Sequence, residues 1–205
     1  MGGMPELLAI IPFFKETQKL EKCLYSLKCS STAVEPFIVD NNVQNVGFTK
    51  ACNLGLRESL RRGHAYALLL NQDCYVLPET LDRLITFMEE HPRCGIAGPK
   101  QVNFANPDEI IHGGCTDAYP LGIHISGRIS NADCTVSRPM PWVNGACMMV
   151  RMEALLDTGL MDEGYFLVFS DSDLCFTARL RNWEVCIRPP RPIYRPERKR
   201  AKVAV

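Results

Sequence analysis

The sequence predicts an α/β protein in which a mostly parallel sheet is flanked by helices within a single domain. Four short apolar runs alternate with segments of helical periodicity in the first hundred residues, a pattern typical of parallel strands covered by helices. Polar residues directly follow two of these runs, at Asp40 and at Asn71 to Asp73, as expected where strands end at a ligand site. A length of 205 residues suits one domain with a sizeable core.

Each element of the first half follows from its local pattern. The apolar runs predict strands, and the stretches between them space apolar residues three or four positions apart, which predicts helices with one buried face. The third helix has Pro78 near its start and Pro92 after its end. The predicted strands are 7–11, 37–39, 65–70 and 94–97, and the helical faces consist of Leu20, Cys23, Leu24 and Leu27, of Cys52, Leu56 and Leu60, and of Leu81, Leu84, Ile85 and Met88.

The second half of the chain begins with a different composition. Residues 103–138 are rich in Gly, Asn, Asp, His and Ser and show little periodicity, which is typical of a functional or disordered loop. A strand-like run follows at 142–150, and then a short helix from Arg151 that Gly159 is expected to end. The apolar residues 166–169 are expected to anchor the next segment in the core.

Composition limits the function classes. The chain is 46% apolar and 22% charged with a formal net charge of zero, so no nucleic-acid partner is implied. Ten cysteines without C-x-x-C pairs favour the reduced thiols of a cytoplasmic protein. The apolar run 7–14, which Pro12 interrupts, is too short to span a membrane. We therefore expect a cytoplasmic protein.

The charge is distributed unevenly along the chain. Residues 188–205 carry seven Lys or Arg against one acid, whereas residues 1–187 carry sixteen bases against twenty-two acids. We therefore divide the chain into a domain at 1–187 and a basic, Pro- and Arg-rich tail at 188–205. Such a tail suits peripheral contact with the inner face of an anionic membrane, and a flexible tail has the same composition.

Asp171 and Asp173 mark the segment where we expect the chemistry. They precede Leu174, Ala178 and Leu180, which lie at helical spacing, so both carboxylates fall at a helix N-terminus that favours an ionised group. A carboxylate held ionised beside a cleft can act as a general base. Asp173 also suits an N-cap, a role that does not explain Asp171. Asp171 is therefore the first choice for the base.

The polar strand ends predict a second set of contacts. Asn71 and Asp73 could place two oxygen ligands on Mg²⁺ or Mn²⁺, which would neutralise a diphosphate. Asp40 could accept hydrogen bonds from a base or a ribose hydroxyl. The alternative for Asn71 and Asp73 is an Asx-turn that ends the strand.

The order of these segments resembles the family 2 glycosyltransferases of the GT-A fold, which has a Rossmann-like sheet, and especially their bacterial rhamnosyltransferase-like branch. The co-occurrence of the motifs, to about Arg188, is more specific than any single motif. The matching segments are LAIIPFF, FIVDNN, NVGFTKACNLGL, LLLNQD, HPRCGIAGPK, PWVNGACMMVR and MDEGYFLVFSDSDLC.

The resemblance implies an inverting hexosyltransferase. It would move rhamnose or another hexose from a nucleotide-diphosphate sugar to a hydroxyl of a glycan or lipid-linked acceptor in cell-surface polysaccharide synthesis. Residues 1–100 would form the nucleotide-binding half, and residues 101–187 the acceptor and catalytic half. Asp40 would bind the nucleoside, Asp73 with Asn71 would hold the metal and the diphosphate, and Asp171 would deprotonate the acceptor.

The resemblance also places side chains around the donor and acceptor sugars. Trp142, Asn144 and Gly145 would lie beside the donor sugar, and a buried Trp with a strand glycine is the alternative. Asp173 would lie next to the base. His124, together with His112, could order an acceptor site, or each could have a plain loop role.

The sequence departs from the family pattern at three places. The chain is short between Asp40 and Asn45, Ser170 replaces the usual Glu, and Tyr194 or Arg195 lies where relatives tend to carry a His. The missing Glu does not abolish a base role for Asp171. The short segment and the absent His make a degenerate relative that binds nucleotide sugar without turnover the alternative function. A nucleotidyltransferase ranks last, because the first strand is followed by Pro-Phe-Phe-Lys-Glu rather than by a Gly-rich loop.

Overall fold

The computed structural model describes residues 7–115 and 138–195, and within them eight strands and five helices. In chain order they are β1 Leu7–Phe13, α1 Thr17–Lys28, β2 Val34–Asp40, α2 Phe48–Arg62, β3 Tyr66–Leu70, α3 Thr80–Glu90, β4 Cys94–Asn103, β5 Ile110–His112, β6 Arg138–Pro139, β7 Cys147–Arg151, α4 Met152–Thr158, α5 Ser170–Leu180 and β8 Glu184–Arg195. The four strands and three helices predicted for the first half are confirmed, and the strand at 142–150 begins five residues later than predicted.

The strands form one sheet in the order β2-β1-β3-β7-β4-β8-β6, with β5 paired to β4. Strands β1, β2, β3, β4 and β8 run in one direction, and β7 is antiparallel to both of its neighbours, β3 and β4. Strands β5 and β6 are also antiparallel to their partners. The α/β class with helices flanking the sheet is confirmed, and the sheet is mixed because β7 enters from the edge at which β3 ends.

Both faces of the sheet are buried. Leu7, Ala9 and Ile11 of β1 point into a core shared with α1 and α3, and the alternating Leu8 and Ile10 point into a second core shared with α2, α4 and α5. These five side chains are all at most 1% exposed. A strand covered on both faces reads as a continuous apolar run, which is why β1 is visible in the sequence.

The apolar residues 166–169 are not in the core, so that prediction was wrong. Phe166, Leu167, Val168 and Phe169 are 57, 62, 60 and 56% exposed. They form a loop before α5, and the backbone of Phe169 is in the left-handed region at φ 72°. The loop contacts the start of α2 through Phe166, whose carbonyl accepts a 2.8 Å hydrogen bond from Phe48 N.

The final strand continues into residues assigned from the sequence to the tail. β8 runs to Arg195 and pairs with β4 through Gln101 opposite Ile193 and Asn103 opposite Arg195. The boundary at 187 and 188 therefore falls inside a strand. Residues 196–205 lie outside the described part of the chain. Within the described ranges, none of the helices is long and apolar enough to cross a membrane.

Candidate functional site

The polar residues predicted at the strand ends lie at one edge of the sheet. Asp40 is the last residue of β2, and Asn71 directly follows β3. Both strands are parallel to β1, which lies between them, so their carboxyl ends open on the same side. In open α/β sheets this edge is where ligands bind.

A buried amide shapes the loop that follows β1. Gln72 Oε1 accepts a 2.7 Å hydrogen bond from Phe14 N, and Gln72 Nε2 donates to the carbonyls of Phe14 and Lys15 at 3.1 and 3.0 Å. Lys15 and Glu16 both have positive φ, at 55° and 52°. The strained loop is therefore held by the residue between Asn71 and Asp73. The role of Gln72 was not predicted from the sequence, where its only signal is a polar residue within an Asn-x-Asp run.

Asp40 is exposed at the rim of this edge. Its Oδ1 accepts hydrogen bonds from Asn42 N at 2.8 Å and from Asn42 Nδ2 at 2.6 Å. Asn42 Oδ1 in turn accepts from Lys15 N at 2.8 Å. Asp40 thus joins the end of β2 to the loop after β1, and Oδ2 has no hydrogen bond within the described residues. This leaves the carboxylate able to accept a ligand hydroxyl.

Backbone hydrogen bonds hold the turn after β3. Asn71 N donates to Ala146 O at 2.8 Å, and Cys74 N donates to Asn71 O at 3.0 Å. No side-chain hydrogen bond of Asn71 stabilises the turn within the described residues, so the Asx-turn alternative is not supported. The bond to Ala146 fixes Asn71 against the segment that precedes β7.

Asp73 is buried beside an arginine from the end of β8. Arg195 Nε lies 3.5 Å from Asp73 Oδ1, and the two side chains are 6% and 12% exposed. Reciprocal 2.9 Å hydrogen bonds between the backbones of Tyr75 and Tyr194 hold the turn after β3 against the end of β8. The Asp73 carboxylate therefore has a positive partner from its own chain.

The predicted divalent-cation ligands do not fit a metal ion well. Mg²⁺ binds carboxylate oxygens at about 2.0 Å, which would bring the ion close to the like charge of Arg195 beside Asp73. Asn71 adds no charge. In the part of the chain that the structure describes, no three His, Cys, Asp or Glu side chains form a group that could hold a metal.

The segment before β7, residues 142–146, is held by contacts with His112 and by its own hydrogen bonds. His112, at the end of β5, is buried and stacks on Trp142 with ring centroids 5.5 Å apart. His112 Nε2 accepts a 3.2 Å hydrogen bond from Asn144 N. Asn144 Oδ1 accepts from Ala146 N at 2.8 Å. Trp142 and Asn144 are only half-buried. The sequence predicted an acceptor-site or a loop role for His112, whereas in the structure it supports the segment that contains Trp142 and Asn144.

Asp171 lies in the first turn of α5 and contacts this segment directly. Its Oδ2 accepts a 2.8 Å hydrogen bond from Gly145 N, and its Oδ1 accepts from Ser172 N at 2.9 Å. A Cβ at Gly145 would lie 2.9 Å from Asp171 Cβ, so the approach requires glycine. Burial first, and the charge of Asp171 second, raise the pKa of the Cys52 thiol, which therefore stays protonated.

Asp173 lies four residues after the N-cap position of the same helix. The helix begins at Ser170 with Phe169 as its N-cap residue, and no side chain caps it. Asp173 N donates to Phe169 O at 2.8 Å. The cap alternative for Asp173 is therefore wrong. Burial first, and then the charge of Asp162, raise the pKa of the Asp173 carboxyl.

The edge thus brings together most of the predicted site residues. Gly145 contacts Asp171, and its neighbour Ala146 contacts Asn71, so the ends of β3, β7 and α5 meet. Asp40 lies apart from them at the end of β2. His124 lies outside the described residues. The roles of these residues remain predictions.

Comparison with known proteins identifies a family. The profile of the family described as "Glycosyl transferase family 2" matches residues 30–158, more than half of the chain. Curated relatives include the low-salt glycan biosynthesis hexosyltransferase Agl10 of Haloferax volcanii, 24% identical over 143 residues, or 67% of this chain and 45% of the relative. The dTDP-rhamnosyl transferase RfbF of Shigella flexneri is 25% identical over 132 residues, or 64% of this chain and 43% of the relative.

A third relative is the N-acetylglucosaminyl-diphospho-decaprenol L-rhamnosyltransferase of Mycobacterium tuberculosis, 27% identical over 124 residues, or 53% of this chain and 39% of the relative. The chain therefore spans less than half the length of these relatives.

Solved structures share the fold at low identity. A structure of GalNAc-T7 with UDP, GalNAc and Mn²⁺ superposes with a TM-score of 0.73 at 13% identity, covering 95% of this chain and 43% of that chain. Residues 1–349 of S. aureus TarS superpose with a TM-score of 0.62 at 15% identity, covering 93% of this chain and 60% of that chain. These neighbours confirm the expected GT-A fold.

Proposed function

Since the chain belongs to glycosyl transferase family 2, we propose that it transfers a sugar from a nucleotide-diphosphate donor to an acceptor hydroxyl with inversion at the anomeric carbon. The observation that carries the proposal is the contact between Gly145 N and Asp171 Oδ2. It holds a carboxylate at the edge where the parallel strands end, which is where a donor would bind.

We assign a different part of the reaction to each half of the chain. Residues 1–100 form the nucleotide-binding half, with Asp40 accepting hydrogen bonds from the nucleoside and Asn71 and Asp73 near the diphosphate. Residues 101–187 form the acceptor and catalytic half. Trp142, Asn144 and Gly145 contact the donor sugar, and a Trp face suits an apolar face of a sugar ring.

Transfer is a single displacement. Asp171 takes the proton of the acceptor hydroxyl as that oxygen forms a bond to the anomeric carbon. The bond between this carbon and the diphosphate oxygen breaks on the opposite face, and its electron pair leaves with the nucleoside diphosphate. Donors of hydrogen bonds near the diphosphate stabilise the charge that develops there. We assign Asp173, two residues from Asp171, to acceptor contact.

The relatives guide the choice of substrates. One relative is named a dTDP-rhamnosyl transferase and another an L-rhamnosyltransferase acting on a diphospho-decaprenol. We therefore propose rhamnose or another hexose as the transferred sugar, a glycan or lipid-linked acceptor in cell-surface polysaccharide synthesis, and a cytoplasmic location with peripheral membrane contact through the basic tail. The Mg²⁺ or Mn²⁺ dependence predicted from the sequence is not proposed, because Arg195 lies beside Asp73.

To test this proposal, the purified protein is incubated separately with dTDP-rhamnose, UDP-glucose and GDP-mannose. Each incubation contains polyprenyl-diphosphate-linked N-acetylglucosamine as the acceptor. Release of nucleoside diphosphate and the anomeric configuration of the product are followed by NMR. We expect one donor to be consumed and its product to have the inverted configuration. A product that retains the donor's configuration would contradict the assigned displacement.

A catalytically silent nucleotide-sugar-binding protein is the second candidate. The pairing of Asp73 with Arg195 favours it, because the carboxylate expected to serve the diphosphate already has a partner. This candidate predicts that UDP, dTDP or GDP binds while no donor is consumed with any acceptor. Binding by none of the three nucleotides would contradict both candidates.

A further inference from the structure

Arg195 is a buried side chain at the ligand edge with few partners among the described residues. Its side chain is 6% exposed, and its contact with Asp73 Oδ1, at 3.5 Å from Nε, is too long for a good hydrogen bond. Among the described residues, Arg195 Nε has no hydrogen-bond acceptor. A buried donor without an acceptor is costly, so a structure that keeps one points to a ligand.

The backbone fixes where this guanidinium can act. Asn103 and Arg195 are opposite each other in β4 and β8, and Phe104 N donates to Arg195 O at 2.8 Å. The neighbouring Tyr194 is bonded to Tyr75, two residues after Asp73. Arg195 is therefore held by two strands at the edge where β3 ends. Its position does not depend on a flexible loop.

We propose that the Arg195 guanidinium binds the diphosphate of the donor and supplies the positive charge that a divalent cation would otherwise supply. This inference rests on the proposed function. A guanidinium has five N–H donors in a planar fork that matches phosphate oxygens, and it remains charged throughout the physiological pH range.

We assign Asp73 a role other than that of a metal ligand. It orients Arg195 and balances its charge while the donor is absent. When the bond between the anomeric carbon and the diphosphate breaks, negative charge increases on the leaving oxygen, and N–H groups of Arg195 stabilise it. Asp73 is a positioning residue, and Arg195 contacts the reacting group.

The experiment measures the affinity of the whole protein for UDP, dTDP, GDP and the matching monophosphates by calorimetry, in EDTA and in Mn²⁺. The variants are Arg195→Ala and Arg195→Lys. Arg83→Ala is the matched control, since Arg83 also pairs with an acid, Glu79 at 2.8 Å, but lies exposed on α3. Thermal unfolding shows whether each variant folds, and Arg195→Lys keeps a positive charge beside Asp73 if the alanine variant is unstable.

We expect the affinity of the wild type for its nucleoside diphosphate in EDTA to be within about threefold of its affinity in Mn²⁺. Arg195→Ala should weaken the diphosphate about 10- to 100-fold and the monophosphate less, because a charge-assisted contact to the second phosphate is lost. Arg195→Lys should have an intermediate affinity, because it retains the charge without the fork. Arg83→Ala should bind as the wild type does.

Two results would overturn the inference in distinguishable ways. Diphosphate binding that requires Mn²⁺ and is unchanged in a folded Arg195→Ala or Arg195→Lys variant would assign the charge to a metal, and the proposed function would survive. Binding of none of the nucleotides in either condition would remove the donor site itself, and the proposed function with it.

Discussion

The backbone N–H of Gly145 donates a 2.8 Å hydrogen bond to Oδ2 of Asp171, so a residue before β7 determines where the carboxylate at the start of α5 points. The two residues are 26 positions apart in the sequence. Space for the contact exists because residue 145 has no side chain, since a Cβ there would lie 3.2 Å from Asp171 Oδ2.

Substitution of Gly145 tests this relationship. Gly145→Ala should lower kcat about 10- to 100-fold, because a displacement of the base by a fraction of an ångström misaligns it with the acceptor hydroxyl. The affinity for the nucleotide should change little. Gly164→Ala is the control, since its Cβ would meet only an exposed carboxylate, Asp162 Oδ1 at 3.2 Å. Equal effects of the two substitutions would show that the contact does not position Asp171.

His112 supports the same segment from the opposite side. His112→Leu removes the acceptor for Asn144 N, so we expect a free energy of unfolding lower by about 1–3 kcal/mol and slower transfer. His112→Gln offers an amide oxygen in its place and should recover part of both losses. His91→Leu is the control, because His91 also stacks on an aromatic ring but lies at the end of α3. Identical rates for His112→Leu and the wild type would contradict the supporting role.

The pKa of Asp173 gives a pH prediction. A carboxyl whose pKa is raised in the folded state favours its protonated form there, so its ionisation at neutral pH lowers stability. Asp173→Asn should therefore raise Tm at pH 7. The difference should shrink as pH falls through the folded-state pKa, and should vanish below the unfolded pKa of about 3.9. A difference in Tm that grew toward acid pH would contradict this assignment, and calorimetry from pH 3 to 8 measures it.

The loop before α5 is attached to α2 through Asn53. Asn53 Nδ2 donates to Met161 O at 2.8 Å, and Asn53 Oδ1 accepts from Met161 N at 3.1 Å, with Asn53 fully buried. Asn53→Ala leaves both backbone groups without a partner and should lower the free energy of unfolding by about 2–4 kcal/mol. Arg57→Ala, which removes an exposed ion pair to Glu163, should cost about 1 kcal/mol or less. Denaturant unfolding compares the two, and equal losses would contradict the anchoring role of Asn53.

The fold could be predicted because burial determines sequence pattern. Residues 7–11 are covered on both faces of the sheet, and so they form an apolar run that identifies β1. The reversed direction of β7 could not be predicted, since strand direction depends on long-range pairing such as Leu70 with Cys147. Residues 166–169 were misassigned because exposed apolar side chains in a loop have the same composition as a core strand.

The site could be predicted only in part, for a related reason. Asp40, Asn71 and Asp171 are visible because they lie at the ends of regular elements. Gln72 and His112 were missed or undervalued because their roles consist of hydrogen bonds to the backbone of distant loops. Such contacts depend on tertiary structure and leave no periodic pattern.

The role of Asp171 as the base of a sugar transfer is tested most directly by the kcat and the nucleotide affinity of Asp171→Asn and of Asp82→Asn. Asp82 occupies the first turn of α3, as Asp171 does in α5, but is exposed away from the site. With the donor identified, we expect Asp171→Asn to lower kcat at least 100-fold while nucleotide affinity stays within about threefold, and Asp82→Asn to match the wild type. Turnover retained by folded Asp171→Asn would contradict the account.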